Sequence, residues 1–402
     1  WLDLNSSLLA ASYTVVNTAD NEDPGSLRWA INHANANGGP DAIEFNIPDS
    51  DPNYDGSGVW VIRLGAGLGL ADPSGGTTID GRSQLAAPDV PNPDGLRIRI
   101  EYDSAVTDAA LHLFSDGNRL FGLNIDGGPW TAIWIRGANN WVAGCYIGTD
   151  PSGVEVFEGQ DHGIGIAMSY GRAHNNIIGT NADGVDDHLE GNLISGCYRG
   201  VELNGDPWLE YDPDGYYSGR PRGNWIAGNL IGVDRTGTKA LGTGQDPNGE
   251  STGPGVMIKG AIETLVGPNG DGASDHLERN IISARDDSNV MIRHPGWEEE
   301  LWGGDGNVIA GNYIGTDITG VRALPREDTP DGYSPPCSGV IVMMGSKHNR
   351  IERNVISGHL GDNPSVGVLV FGLGTDQNTV QANLIGTRSE EHTSELQSRQ
   401  VI

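Results

Sequence analysis

The strongest constraint on the fold is a phrase that the chain repeats. Its clearest copy is Asn224-Trp225-Ile226-Ala227-Gly228-Asn229-Leu230-Ile231-Gly232, and it returns starting at Asn140, Asn307 and Asn378. Variants with an insertion lie between these copies and end in Asn192-Leu193-Ile194-Ser195-Gly196, Asn280-Ile281-Ile282-Ser283 and Asn354-Val355-Ile356-Ser357-Gly358. Self-similarity at a period of about 20–50 residues is the signature of a solenoid.

Aligned, the copies give columns. One runs Ile125, Ile147, Ile194, Ile231, Ile282, Ile314, Ile356, Ile385, and a second runs from Leu120 through Ile226 to Val380. Upstream of each phrase stands a pair of apolar residues two apart, such as Leu111/Leu113, Ile164/Ile166, Val201/Leu203 and Val290/Ile292. Period two marks strands with one face buried. Three short strands per repeat, stacked in register, predict an all-β right-handed single-stranded parallel β-helix. The columns imply a run of coils roughly 38 Å long at about 4.8 Å per coil. The column Asn192, Asn229, Asn280, Asn312, Asn354, Asn383 falls where one strand turns into the next. It is expected to be a turn ladder, with Asn in the left-handed conformation and its amide bonded to neighbouring coils. Leu123 and Cys145 take its place in the first two coils, so the ladder is expected to start late.

A solenoid is one continuous domain at any length, so 402 residues do not demand several. The net charge of −30 excludes nucleic acid and anionic membrane as partners and suits a secreted protein. No apolar run reaches membrane-spanning length, so no membrane insertion is expected. Cys145, Cys197 and Cys337 make neither a disulfide framework nor a metal-ligand spacing. The absence of an initiator Met and of a signal peptide suggests that the first residues are internal to a longer protein.

Residues 1–12 read as linker. Residues 13–107 hold a capping region and irregular first coils, with one convincing helix at Leu27–Asn35. Leu27, Ala30, Ile31 and Ala34 share its face, which is expected to cover the open end of the solenoid. Regular coils with long insertions occupy residues 108–387. The order of strand, Gly25-Ser26-Leu27-Arg28 helix, Asp41-Ala42-Ile43-Glu44-Phe45 and Thr78-Ile79-Asp80-Gly81 resembles the opening of bacterial right-handed parallel β-helix repeat proteins. These share the pectate-lyase-like superfamily fold, often carry a CSLREP-type N-terminal region, and belong to secreted or surface-displayed chains. The repeated phrases resemble the same group. The resemblance spans residues 13–387 and implies the fold; its members include lyases, epimerases, glycosidases and non-catalytic adhesive stalks. Residues 388–402, beginning Arg388-Ser389-Glu390-Glu391-His392, resemble a translated sequencing adapter, so the natural protein is expected to continue into further coils.

Three sequence features invite chemistry. Asp150, Asp234 and Asp317 each open an Asp-x-x-Gly turn, which is ordinary turn chemistry; a stacked row of such carboxylates is also a candidate calcium site. Asp187-His188-Leu189-Glu190 and Asp275-His276-Leu277-Glu278 repeat in equivalent insertions, and the duplication argues against a single active site. The outward positions of the first strand in each coil run His112, Trp134/Arg136, Gly165, Glu202/Asn204, Met257/Lys259, Met291/Arg293, Ile341, Leu369. Insertions at 204–222 and 293–306 leave that strand two coils apart and carry Trp208, Tyr211, Tyr216, Trp297 and Trp302. With Arg136, Glu202, Lys259 and Arg293 between them, these residues are the candidate saccharide site, since aromatics cover sugar faces and charged groups fix hydroxyls or uronates. The expected role is structural or adhesive, outside the cell or on the bacterial surface, with a polysaccharide or cell-surface glycan as partner. The alternative is a polysaccharide lyase or glycoside hydrolase using Lys259 or Arg293 as base and Glu202 to hold calcium.

Overall fold

The computed structural model describes residues 10–85, 95–102, 108–126, 130–157, 163–170, 172–205, 219–241, 253–285, 287–296, 303–324, 337–359 and 365–386. They form a right-handed parallel β-helix of three sheets. Sheet 1 has eleven strands, from Ser12–Val15 to Thr379–Gln381; sheet 2 has ten, from Trp60–Leu64 to Leu384–Ile385; sheet 3 has nine, from Leu68–Leu70 to Val368–Phe371. Each regular coil visits sheet 3, then sheet 1, then sheet 2. Thr131–Ile135, Trp141–Ala143 and Tyr146–Ile147 are one such coil. The irregular strands before residue 108 belong to the same sheets, so the stack is longer than the repeated phrase implies: about 48 Å along sheet 1.

The aliphatic columns meet inside. Ile194 pairs with Ile231, Ile231 with Ile282 and Ile282 with Ile314, all without solvent exposure. Leu120, Val142, Ile178 and Ile226 form the second stack. One expected pair is displaced. In the strand Ile164–Ser169 the residues in register with Val201/Leu203 are Ile166/Met168, and Ile164 lies opposite Arg199.

Small residues make room for these stacks. Gly165, Gly200, Gly255, Gly339 and Gly367 hold one corner of successive coils; a Cβ there would lie 2.4–2.8 Å from the Cγ2 of Ile194, Ile231, Ile282, Ile356 or Ile385. Asn289 interrupts the column, and its Nδ2 lies 2.9 Å from His359 Nε2.

The Asn ladder exists as expected and is buried. In it, Asn280 Nδ2 donates to Ile226 O at 2.8 Å and to Asn312 Oδ1 at 2.9 Å, while Asn280 Oδ1 accepts from Asn229 N at 2.9 Å. Cys145 begins it by donating its backbone N–H to Asn192 Oδ1. Two features differ from expectation. Where a left-handed residue occurs it is the one before the ladder Asn, at Gly228, Gly311, Arg353 and Ala382, whereas Arg279 before Asn280 has φ −63. A second ladder stands at the corner between sheets 3 and 1, through Asn118, Asn140, Asn176 and Asn224 and again through Asn307, Asn349 and Asn378. Buried amides are costly unless bonded, and each ladder bonds them to the next coil.

The N-terminal helix spans Leu27–Ala36, starts at an N-cap Ser26 whose side chain accepts from Trp29 N, and buries Leu27, Ala30, Ile31 and Ala34. It packs on the first strands of sheets 1 and 3 and closes that end of the core. Among the described residues, no helix is long and apolar enough to cross a membrane.

Candidate functional site

Sheet 3 presents the candidate site because its outward side chains line up coil by coil. In register lie Gly69, His112, Trp134, Ala167, Glu202, Met257, Met291, Ile341 and Leu369. Ala167 takes the position expected of Gly165, because Gly165 faces Ile194 and Cys197 at the corner. Two residues further along each strand runs a second row, with Ser169, Asn204, Lys259 and Arg293 side by side and Arg136 at its head. The face divides into three zones.

The first zone is aromatic. Phe114 stacks on His112 with centroids 4.9 Å apart, His112 lies 5.7 Å from Trp134, and Trp134 lies 6.2 Å from Tyr170. Gly69 leaves the space that the Phe114 ring fills. The Arg136 guanidinium carbon sits 3.8 Å from the Trp134 centroid, 5.1 Å from Tyr170 and 5.2 Å from Phe114. A cation among aromatic faces is attracted by their quadrupoles. Arg136 Nε, Trp134 Nε1 and His112 Nδ1 are buried without a hydrogen-bond partner. Burial, reinforced by the Arg136 charge and opposed by Asp108, lowers the His112 pKa, so the ring is neutral at pH 7.

The second zone is ionic. Glu202 is buried, and its two oxygens meet Lys259 Nζ at 2.9 Å and Arg199 Nη1 at 2.5 Å. Burial would raise its pKa, but the Lys259 and Arg199 charges overcome this and hold it below the usual glutamate range. Arg199 also reaches the Tyr198 hydroxyl at 3.1 Å. Arg293, in register beside Lys259, donates Nε–H to His294 O; burial and the Arg199 charge lower its pKa. Each oxygen of Glu202 thus faces a cation, and a carboxylate so paired does not take a proton near neutral pH.

The third zone is apolar: Met257, Met291 and Ile341 pack together, with Met343 and Leu369 against them.

The structure thus brings Glu202, Lys259 and Arg293 together and places Arg136 on the same face. Trp208, Tyr211, Tyr216, Trp297 and Trp302 lie outside the described residues. The feet of their two insertions are joined. Arg220 Nη2 lies 3.1 Å from Asp305 Oδ2 and also donates to Gly303 O, while Nε donates to Gly260 O at 2.6 Å. Phe114, Tyr170 and Arg199 were not among the expected site residues. Phe114 lies just past its strand and two after His112, so a period-two register extended by two residues would have included it; Tyr170 and Arg199 stand three from the outward Ala167 and Glu202, out of that phase, and periodicity gives no signal for them.

The Asp turns close on themselves. Asp150 Oδ1 accepts from Val154 N and Glu155 N, Asp234 Oδ1 from Thr238 N and Lys239 N, and Asp317 Oδ1 from Thr319 N and Arg322 N. Although two coils apart, these turns touch: Arg235 N donates to Gly153 O and Ile318 N to Gly237 O, both at 2.8 Å.

No protein-family model and no curated protein sequence matches the chain. Solved structures do. An alginate lyase from Paenibacillus sp. str. FPU-7 is similar at 12% identity and TM-score 0.39, with 93% of this chain and 99% of that one covered. A tailspike protein of E. coli bacteriophage HK620, in complex with a pentasaccharide, is similar at 9% identity and TM-score 0.31, covering 92% and 67%. A PL6 family polysaccharide lyase from Pseudopedobacter saltans is similar at 11% identity and TM-score 0.25, covering 96% and 97%.

Proposed function

We propose that the outward face of sheet 3 binds an acidic polysaccharide, and that the protein is a secreted or surface-displayed bacterial β-helix with a structural or adhesive role. The observation that carries this reading is the setting of Arg136. Its guanidinium lies among Trp134, Tyr170 and Phe114. Flat aromatic surface suits the C–H faces of sugar rings, and a guanidinium suits their hydroxyl and carboxylate oxygens. The basic side chains Arg136, Lys259 and Arg293 share one row in a chain whose net charge is −30, which favours an anionic ligand on this face. One coil step of about 4.8 Å is comparable to the length of one pyranose unit, so successive coils match successive sugars. Trp208, Tyr211, Tyr216, Trp297 and Trp302 are proposed as further contacts from the insertions. Binding is expected to be modest, since ordering side chains and a flexible glycan costs entropy.

Retention on immobilised alginate, polygalacturonate and a glycosaminoglycan, with neutral dextran as control, tests the reading. The parent should be retained by at least one acidic matrix and not by dextran. Arg136→Gln combined with Trp134→Leu should lower retention at least about tenfold while circular dichroism stays unchanged. A double variant retained like the parent, or a parent retained by none, would overturn it. Absorbance from unsaturated products, or release of reducing ends, in the same incubations would replace it with the lyase or hydrolase alternative.

A further inference from the structure

Two insertions between sheets 1 and 2 share a spacing: Asn181-x-Asp183-Gly184-x-x-Asp187-x-x-Glu190 and Asn269-x-Asp271-Gly272-x-x-Asp275-x-x-Glu278. Their backbones are alike as well. Ala182 and Gly270, Gly184 and Gly272, and Asp186 and Ser274 all have positive φ. In both, the last Glu accepts from the first Asn backbone N–H through Oε2, at 3.1 Å from Asn181 and 2.7 Å from Asn269. In both, the Asn side chain donates to the first Asp, and the Gly N–H donates to Oδ1 of the second Asp.

In the second loop these bonds turn the remaining carboxylate oxygens to a common point. One ligand oxygen each from Asp271, Asp275 and Glu278 lie within 4.8 Å of one another. Glu278 is fully buried, and its Oε1 has no hydrogen-bond partner; in the twin loop the buried Asp187 Oδ2 has none either. Three carboxylates held this close repel, and an unpaired buried oxygen costs free energy. Calcium takes six to eight oxygens at about 2.3–2.6 Å from flexible loops, whereas magnesium keeps several waters and is held by one or two carboxylates, so three converging carboxylates favour calcium.

We propose that the loop 269–278 binds one calcium ion, through Asp271, Asp275 and Glu278. The ion would tie the wall of sheet 1 to that of sheet 2, because Glu278 also gives its carbonyl to Gly228 N. The twin loop 181–190 shares the spacing and the backbone, but its three carboxylates do not converge in the same way.

The test titrates chelator-stripped full chain with calcium by calorimetry, with magnesium in parallel. Glu278→Gln and Asp275→Asn should each remove the one calcium equivalent. In chelator, both variants should melt at or above the parent, because each loses a repelling charge; in calcium they should melt below it. Any of four results would overturn the proposal: no calcium uptake, uptake unchanged in both variants, equal binding of magnesium, or variants that melt well below the parent in chelator.

Discussion

Lys259 Nζ lies 2.9 Å from Glu202 Oε1 and so ties together two consecutive coils across the middle of sheet 3. Glu202 is buried, and its pKa stands below the ordinary value because the Lys259 and Arg199 charges outweigh burial. Its contribution to stability is therefore fully present above about pH 4.3 and lost as pH falls through the lower folded value. Lys259→Met should cost about 3 kcal/mol at pH 7, the low end for a broken buried pair since Arg199 remains. The cost should shrink as pH falls through the depressed folded pKa of Glu202, where the carboxylate protonates. Urea midpoints followed from pH 7 into acid measure it; a cost independent of pH would contradict the electrostatic account.

A second prediction concerns the glycine corner. A Cβ on Gly255 would lie 2.6 Å from Ile282 Cγ2 and 2.9 Å from Asn289 O. Ile282→Ala alone should cost about 2–5 kcal/mol through the cavity it leaves. Gly255→Ala alone should cost about 1–3 kcal/mol through overpacking. Together they should cost less than the sum by about 1 kcal/mol, since each relieves the other. Chemical denaturation of the four proteins of the cycle decides it; strict additivity would mean that the two side chains do not meet.

A third concerns acid. Burial holds the His359 pKa down to about 4, and its Nε2 lies 2.9 Å from Asn289 Nδ2, a bond it makes as the acceptor when neutral. The unfolded chain binds this proton at about pH 6.5. Stability should therefore fall as pH drops from about 6.5 to about 4, by up to ~1.4 kcal/mol per pH unit from this group. His359→Gln keeps an acceptor and removes the proton, so its stability should fall less steeply over that window. Equal slopes for parent and variant would assign the acid sensitivity elsewhere.

The fold was legible because it is written in columns. Ile231, Ile282 and Ile314 repeat at the same place in their phrases, and stacked coils turn that repetition directly into contact. The capping face of the N-terminal helix was legible for the same reason, as a period of three and four. Ile164/Ile166 misled because Ile164, Ile166 and Met168 all alternate, and period two alone does not say which two of three apolar residues face in. The left-handed corner was misplaced because Asn tolerates that conformation, whereas here its side chain is taken up by the ladder and the strained backbone falls on its predecessor. The candidate site was legible where it lies on strands, at Glu202, Lys259 and Arg293. It was missed where a side chain just outside a strand folds back over the face, as Phe114 and Tyr170 do.

The touching Asp turns imply that the unit by which such a chain grows or shrinks is not one coil. The turns at Asp150, Asp234 and Asp317 meet only because the coil between them is short at that corner, with Ser195 and Ser283 bonded to Val233 O and Thr316 O. The twin acidic loops, in the intervening coils, and the insertions clasped by Arg220 keep the same two-coil period. Loss of a single coil would set every clasp against a partner that lacks its half, whereas loss of two, roughly 85 residues, would let the faces reseal. Length variation in chains of this design should accordingly come in even steps.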